Sequence, residues 1–159
     1  MTFKLVAGAA DEWSTRVESA LDPASEVLAV RISAGAPAPL RAWVADPVRE
    51  VLMALSGLAQ TPSETRSRVT LLVSAVDGLA ASDAAAHGAV VQAFRGIAQS
   101  ITEEQPGTVE AVNVISHCGP TTDDIVQTVR YLDSPLGGNS AGSWIGLDQA
   151  AWAGNVVCS

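Results

Sequence analysis

The sequence predicts a three-layer α/β domain on a mainly parallel sheet of about five strands, and three observations carry that reading. The chain has 159 residues, 48% hydrophobic and 16% charged, which suits one compact domain with a sizeable core. Short β-branched runs alternate with helix-length amphipathic stretches along its whole length, the pattern of βαβ units joined by right-handed crossovers. The most apolar run, Arg68 to Ser74, is continuous rather than alternating, as in strands covered on both faces.

The elements follow in order. Phe3 to Gly8 reads as a strand, and Asp11, Glu12 and Ser14 start a helix that runs to about Leu21. Asp22-Pro23 ends it. Glu26 to Ile32 is a second strand, closed by the breaker-rich SAGAPAP. From Ala42 to about Leu58, Val44, Val48, Val51, Leu52, Leu55 and Leu58 recur at helical spacing, with Pro47 acceptable only in a first turn. Thr61-Pro62-Ser63 opens a loop before the central strand at Arg68 to Ser74. The helix from Asp83 to about Glu103 carries two stripes. Val90, Phe94, Ile97 and Ile101 form one, and Ala86, Ala89, Ala93, Gly96 and Ser100 form a small-residue ridge beside it. Together they cover about 200 degrees, more than the roughly 100 degrees one core face requires, so this helix is expected to touch a second partner as well as its own sheet. Beyond Gln105-Pro106-Gly107, Thr108 to Ile115 is a strand, Thr121 and Thr122 cap a helix to about Leu132, and Ser143 to Leu147 is a last short strand.

Charge and composition narrow the function classes. Seventeen acidic residues against nine basic ones leave a net charge of −8, which offers no cationic track for nucleic acid or anionic membrane. No apolar run is long enough to span a bilayer. The amino terminus meets Asp11 and Glu12 before a secretory h-region is complete, so a cytoplasmic location is expected. Cys118 and Cys158, forty residues apart and outside any CxxC, read as two reduced thiols rather than a disulfide or a zinc site.

With the elements placed, the order of local motifs resembles the short-chain dehydrogenase/reductase family over nearly the whole chain. VNVISHCGPTTDD, from Val112 to Asp124, is similar to that family's strand-six motif, with His117-Cys118-Gly119 where a proline-glycine pair usually stands. Ile125 to Gln149 resembles its last helix and strand. LVAGAADEWSTRV resembles the opening phosphate loop with only Gly8 kept of three glycines, and Ser33-Ala34-Gly35 resembles the fourth-strand N-N-A-G motif. The resemblance implies a shortened Rossmann-like sheet. The family's second and third strands would be missing between Leu21 and Glu26, leaving the order 1-4-5-6-7 with Phe3 to Gly8 as an edge.

The same resemblance implies that the chemistry is dismantled. Gly8 and Gly35 are remnants of a cofactor site whose later glycine positions hold Glu12 and Ser14, so no cofactor is expected, and no metal either. His87 stands at the family's tyrosine position and Val91 at its lysine position, while Ser74 falls within one residue of the catalytic serine. His87 is the residue that would serve as a general base, with Asp83 one turn earlier on the helix but no carboxylate spaced to orient it. A nucleophilic pair of His117 and Cys118 would need adjacent side chains to converge. Trp13, Trp43, Trp144 and Trp152 read as core or interface. The helices that form the family's dimer interface survive in apolar form, through Val48, Leu52, Leu55, Ala86, Ala89, Ala93, Phe94, Gly96 and Ile97. The expected function is a non-catalytic subunit that pairs with another chain of this fold or with itself. Two further readings are a small cofactor-independent enzyme built on His87 and an ordinary NAD(P)-dependent oxidoreductase.

Overall fold

The computed structural model describes residues 3–33, 40–60, 67–79, 81–104 and 109–147, with the backbone alone for 40–43. Gly35, the Thr61-Pro62-Ser63 and Gln105-Pro106-Gly107 segments, Trp152 and Cys158 lie outside the described residues. The elements run β1 (Phe3–Ala7), α1 (Glu12–Ala20), β2 (Glu26–Ile32), α2 (Leu40–Gln60), β3 (Ser67–Ala75), α3 (Ala81–Glu104), β4 (Val109–Cys118), α4 (Asp123–Asp133), a 3-10 turn (Pro135–Ser140) and β5 (Trp144–Gly146). The five strands form one sheet in the order β1-β2-β3-β4-β5, every pair parallel. This is the shortened three-layer Rossmann-like architecture. The β3 strand is central, and β1 pairs directly with β2, Phe3 opposite Val27.

Side-chain alternation along the strands sorts the core into two layers. Leu28, Val30, Ile32, Val69, Leu71 and Val73 face α2 and α3, where Val51, Leu55, Val90 and Phe94 complete one cluster. Val27, Ala29, Leu72 and Ile115 face α1 and α4, against Trp13, Val17, Ile125 and Val129. A consequence follows for chirality. On a sheet whose strands advance in one direction, crossovers of one hand place every helix on the same face. Here the first and last helices lie on one face and the middle two on the other, so the β1-α1-β2 and β4-α4-β5 connections have the opposite hand to the two between them. The expectation of uniformly right-handed crossovers is therefore corrected.

Local chemistry explains most boundaries. Asp11 caps α1 in a capping box, its Oδ1 accepting from the Ser14 amide at 2.8 Å while Ser14 Oγ accepts from the Asp11 amide at 2.9 Å. Thr122 is the N-cap of α4 but makes no side-chain cap bond, so the threonine signal marks the place without supplying the expected contact. Pro47 is not in a first turn. The α2 helix begins at Leu40, which leaves Pro47 in its interior, without the N–H that would have reached the carbonyl of residue 43. The β4 strand runs to Cys118 rather than Ile115, so His117 is a strand residue and not a loop residue. At the edge of the described sheet, β1 is five residues long, carries Lys4 and has a register irregularity between Leu5 and Ala7, features that blunt an edge against further pairing.

Candidate functional site

The carboxyl ends of β1 to β4, where open parallel sheets seat their ligands, hold a closed polar cluster. At its centre is Arg31, on β2 and 5% exposed. Its Nη1 donates to Ser74 Oγ at 2.7 Å and to the carbonyls of Ala75 and Gly119, each at 3.2 Å. Its Nε reaches Asp11 Oδ2 at 3.4 Å. Trp13 lies across the guanidinium, 4.2 Å from carbon to ring centroid, and stacks on the His117 ring at 6.0 Å. The Trp13 indole N–H donates to the Thr121 carbonyl at 3.1 Å. One arginine thus ties the ends of three strands to the capped start of α1.

Two hydroxyls flank the His117 ring. Nδ1 lies 2.9 Å from Ser74 Oγ and Nε2 3.1 Å from Thr121 Oγ1, and because a hydroxyl can donate or accept, the pair satisfies a neutral imidazole in either tautomer. Burial pushes the His117 pKa down to about 4, with Arg31 and His87 adding to the effect and Asp124 and Asp77 opposing it. Asp11 is held below the usual carboxylate range. Its partial burial works upward, but the Ser14 amide and the Arg31 guanidinium together outweigh it.

The sequence-derived residues fall into separate places. Ser74 points into this cluster on the α1/α4 side, whereas His87, on α3, is packed on the other side of the sheet, 3% exposed, with Nε2 3.4 Å from the Val73 carbonyl. The structure does not bring them together. Burial also lowers the His87 pKa, against the backbone contacts with Val73 and His117. Ser74 pairs instead with His117 at a distance suited to a nucleophile and its base. Both side chains are fully buried, Arg31 holds a Ser74 lone pair, and the far nitrogen of His117 meets a hydroxyl rather than an orienting carboxylate. A substrate has no approach to that oxygen. Gly8 is retained for a backbone reason. Its φ is +97°, and a Cβ there would lie 2.1 Å from the Arg31 carbonyl.

Cys118 is disulfide-bonded, which corrects the expectation that it is a reduced thiol. Sequence reasoning passed over Arg31 and read Thr121 only as part of a helix cap. A signal for Arg31 was present: a charge inside the apolar run VLAVRI, away from the strand's half-buried first residue, must be paired if that run is buried. The polar role of Asn113 is structural, its Oδ1 accepting from the Ser143 amide at 3.1 Å.

The interface set divides by exposure. Leu55, Ala86 and Phe94 are buried in the chain's own core. Val48, Ala89, Ala93 and Ile97 are half-buried, and Leu52 and Gly96 are exposed. A groove of about 660 Å³ runs along α2 beside Leu52 and Met53. At the opposite end of the sheet, a polar cleft of about 610 Å³ is lined by Asp22, Arg68, Glu110, Arg130 and Asp133. Its arginines are committed to helix ends, Arg68 to the Leu132 and Ser134 carbonyls and Arg130 to that of Ala20. Among the described residues, no three histidine, cysteine or carboxylate side chains converge to hold a metal ion, and no helix is long and apolar enough to cross a membrane. Comparison with protein-family models and with curated proteins finds no match to either.

Proposed function

We propose that this chain is a shortened, non-catalytic relative of the short-chain dehydrogenases/reductases that works as an assembly subunit, docking another chain of the same fold through the exposed surface of α2 and α3. The observation that carries the reading is the filled crevice. Where a dinucleotide would lie along the strand ends, Arg31 and Trp13 are closed over one another and hydrogen-bonded to the backbone. At the start of α1, where a pyrophosphate would take backbone amides, the Ser14 amide is already bonded to the chain's own Asp11 carboxylate.

The reversed hand of the β1-α1-β2 connection supports the ancestry. In a doubly wound sheet the first helix leads outward to strands beyond β1. Removing those strands keeps α1 on its face and sends the chain to the other side of β1, which inverts the crossover.

Titrating NAD, NADH, NADP and NADPH against tryptophan fluorescence tests the reading. Trp13 would report any occupant of the crevice, and no saturable change is expected with any of the four. Micromolar affinity for one of them overturns the proposal. The subunit role is tested by co-expressing the chain with a full-length reductase and measuring the intact mass of the product, with a stable mixed complex as the expected outcome.

A further inference from the structure

We propose that the turn from Gly119 to Thr122 is an acid-sensitive strap over the strand ends, and that a proton taken up by His117 releases it and opens the crevice while the sheet stays folded. Three consecutive carbonyls of this turn are held by side chains from other elements. Arg31 Nη1, on β2, donates to the Gly119 carbonyl at 3.2 Å. Arg16 Nη2 and Trp13 Nε1, both on α1, donate to those of Pro120 at 3.3 Å and Thr121 at 3.1 Å. The fourth tie is His117, whose Nε2 lies 3.1 Å from Thr121 Oγ1. Pro120 and Thr121 are themselves exposed, so this is an outer segment fastened from within, and water can replace each partner once the segment lifts.

The placement of His117 makes the strap respond to a proton. The ring is fully buried, and its two nitrogens meet the hydroxyls of Ser74 and Thr121, neither of which can offset a charge. Ser74 Oγ is already bonded at 2.7 Å to Arg31, itself 5% exposed. A second cation would share one hydroxyl with the first where water does not reach. The charged and titratable groups facing the ring are Arg31 on β2, His87 on α3, Asp77 after β3 and Asp124 on α4, while Asp11 at the start of α1 is committed to Arg31. Among the described residues, neither Asp77 nor Asp124 forms an ion pair with the ring. Burial, with Arg31 and His87, outweighs both acids and brings the closed-state pKa down to about 4. In water the ring returns toward its ordinary 6.5, so lowering the pH from 7 to 4 should weaken the closed state against the open one about 100-fold. The strap yields before the sheet because opening it breaks four side-chain bonds and leaves the β3–β4 ladder paired as far as Ala75 and Cys118. The device stands whether or not the chain docks on another.

Heteronuclear NMR on the full chain tests the inference. The Trp13 indole N–H resonance, identified by its loss in Trp13→Phe, is expected to move toward the position of an exposed indole with a midpoint between pH 4 and 6.5, while far-UV circular dichroism keeps its neutral-pH value. The His117 ring should titrate with the same midpoint. His117→Asn takes up no proton and should hold the Trp13 resonance at its neutral-pH position over that range. His87 is retained in that variant, so a Trp13 shift that persists there assigns the effect to another group and overturns the inference. A Trp13 resonance that moves only as the circular dichroism collapses overturns it as well. Should His117→Asn fail to fold, the wild-type spectra decide alone: a His117 ring that titrates while Trp13 stays in place removes the strap.

Discussion

At the scale of single residues, Arg31 decides what the strand ends can do. A guanidinium that is almost fully buried needs its donors placed, and Ser74, two carbonyls and Asp11 take most of them. Arg31→Met should cost about 3 kcal/mol in urea unfolding, since it leaves the Ser74 hydroxyl and two carbonyls without their donor. A loss under about 1 kcal/mol would show that the cluster is not a structural lock. His117 sets a pH dependence whose sign is determined. Its folded pKa lies below the ordinary value, so below about pH 6.5 the unfolded chain takes up a proton that the native one refuses. Stability should fall as pH drops from 6.5 to about 4, with a slope approaching about 1.4 kcal/mol per pH unit from this residue. His87 shifts the same way, and the lowered Asp11 adds its loss further into acid, below its ordinary value of 3.8. Denaturant midpoints across that range should show a flatter profile for His117→Asn. An unchanged profile would mean that His117 is protonated in the fold.

At the scale of elements, the helices carry costs that the sheet tolerates. Pro47 interrupts α2 from inside, and Pro47→Ala should raise stability by about 1 to 3 kcal/mol by restoring one hydrogen bond and removing a ring clash. A lower melting temperature would show that packing of the ring outweighs the lost bond. Two glycines should behave in opposite ways. Gly88 is in α3 with open space around it, so Gly88→Ala should stabilise by about 1 kcal/mol through helix propensity alone. Gly8→Ala places a Cβ against the Arg31 carbonyl at positive φ and should cost more than about 2 kcal/mol. Thermal melts of both variants, recorded together, give the contrast.

At the scale of the whole molecule, charge and surface work against each other. A net charge of −8 repels an acidic partner subunit at long range, while the groove on α2 is almost uncharged. Docking of such a partner should therefore strengthen as salt is raised from about 10 mM to about 150 mM, because the Debye length shrinks from roughly 30 Å to roughly 8 Å while apolar contact is untouched. Sedimentation velocity of the mixture at the two ionic strengths reads this directly. Dissociation on adding salt would instead point to an interface held by ion pairs.

The sequence by itself determined the element order, the parallel sheet and the central place of Arg68 to Ser74. Those features are written in local periodicity and in breakers such as Asp22-Pro23, which act over a few residues. It did not determine that Ser74 and His87 lie on opposite sides of the sheet, that Arg31 joins Asp11 to Ser74 and through it to His117, that Cys118 is bonded, or that two crossovers reverse their hand. Each of those depends on which strand ends meet and which face a connection crosses. Such facts are set by packing between elements, with Arg31 meeting Asp11 across 20 positions and Ser74 across 43, and no local pattern encodes them.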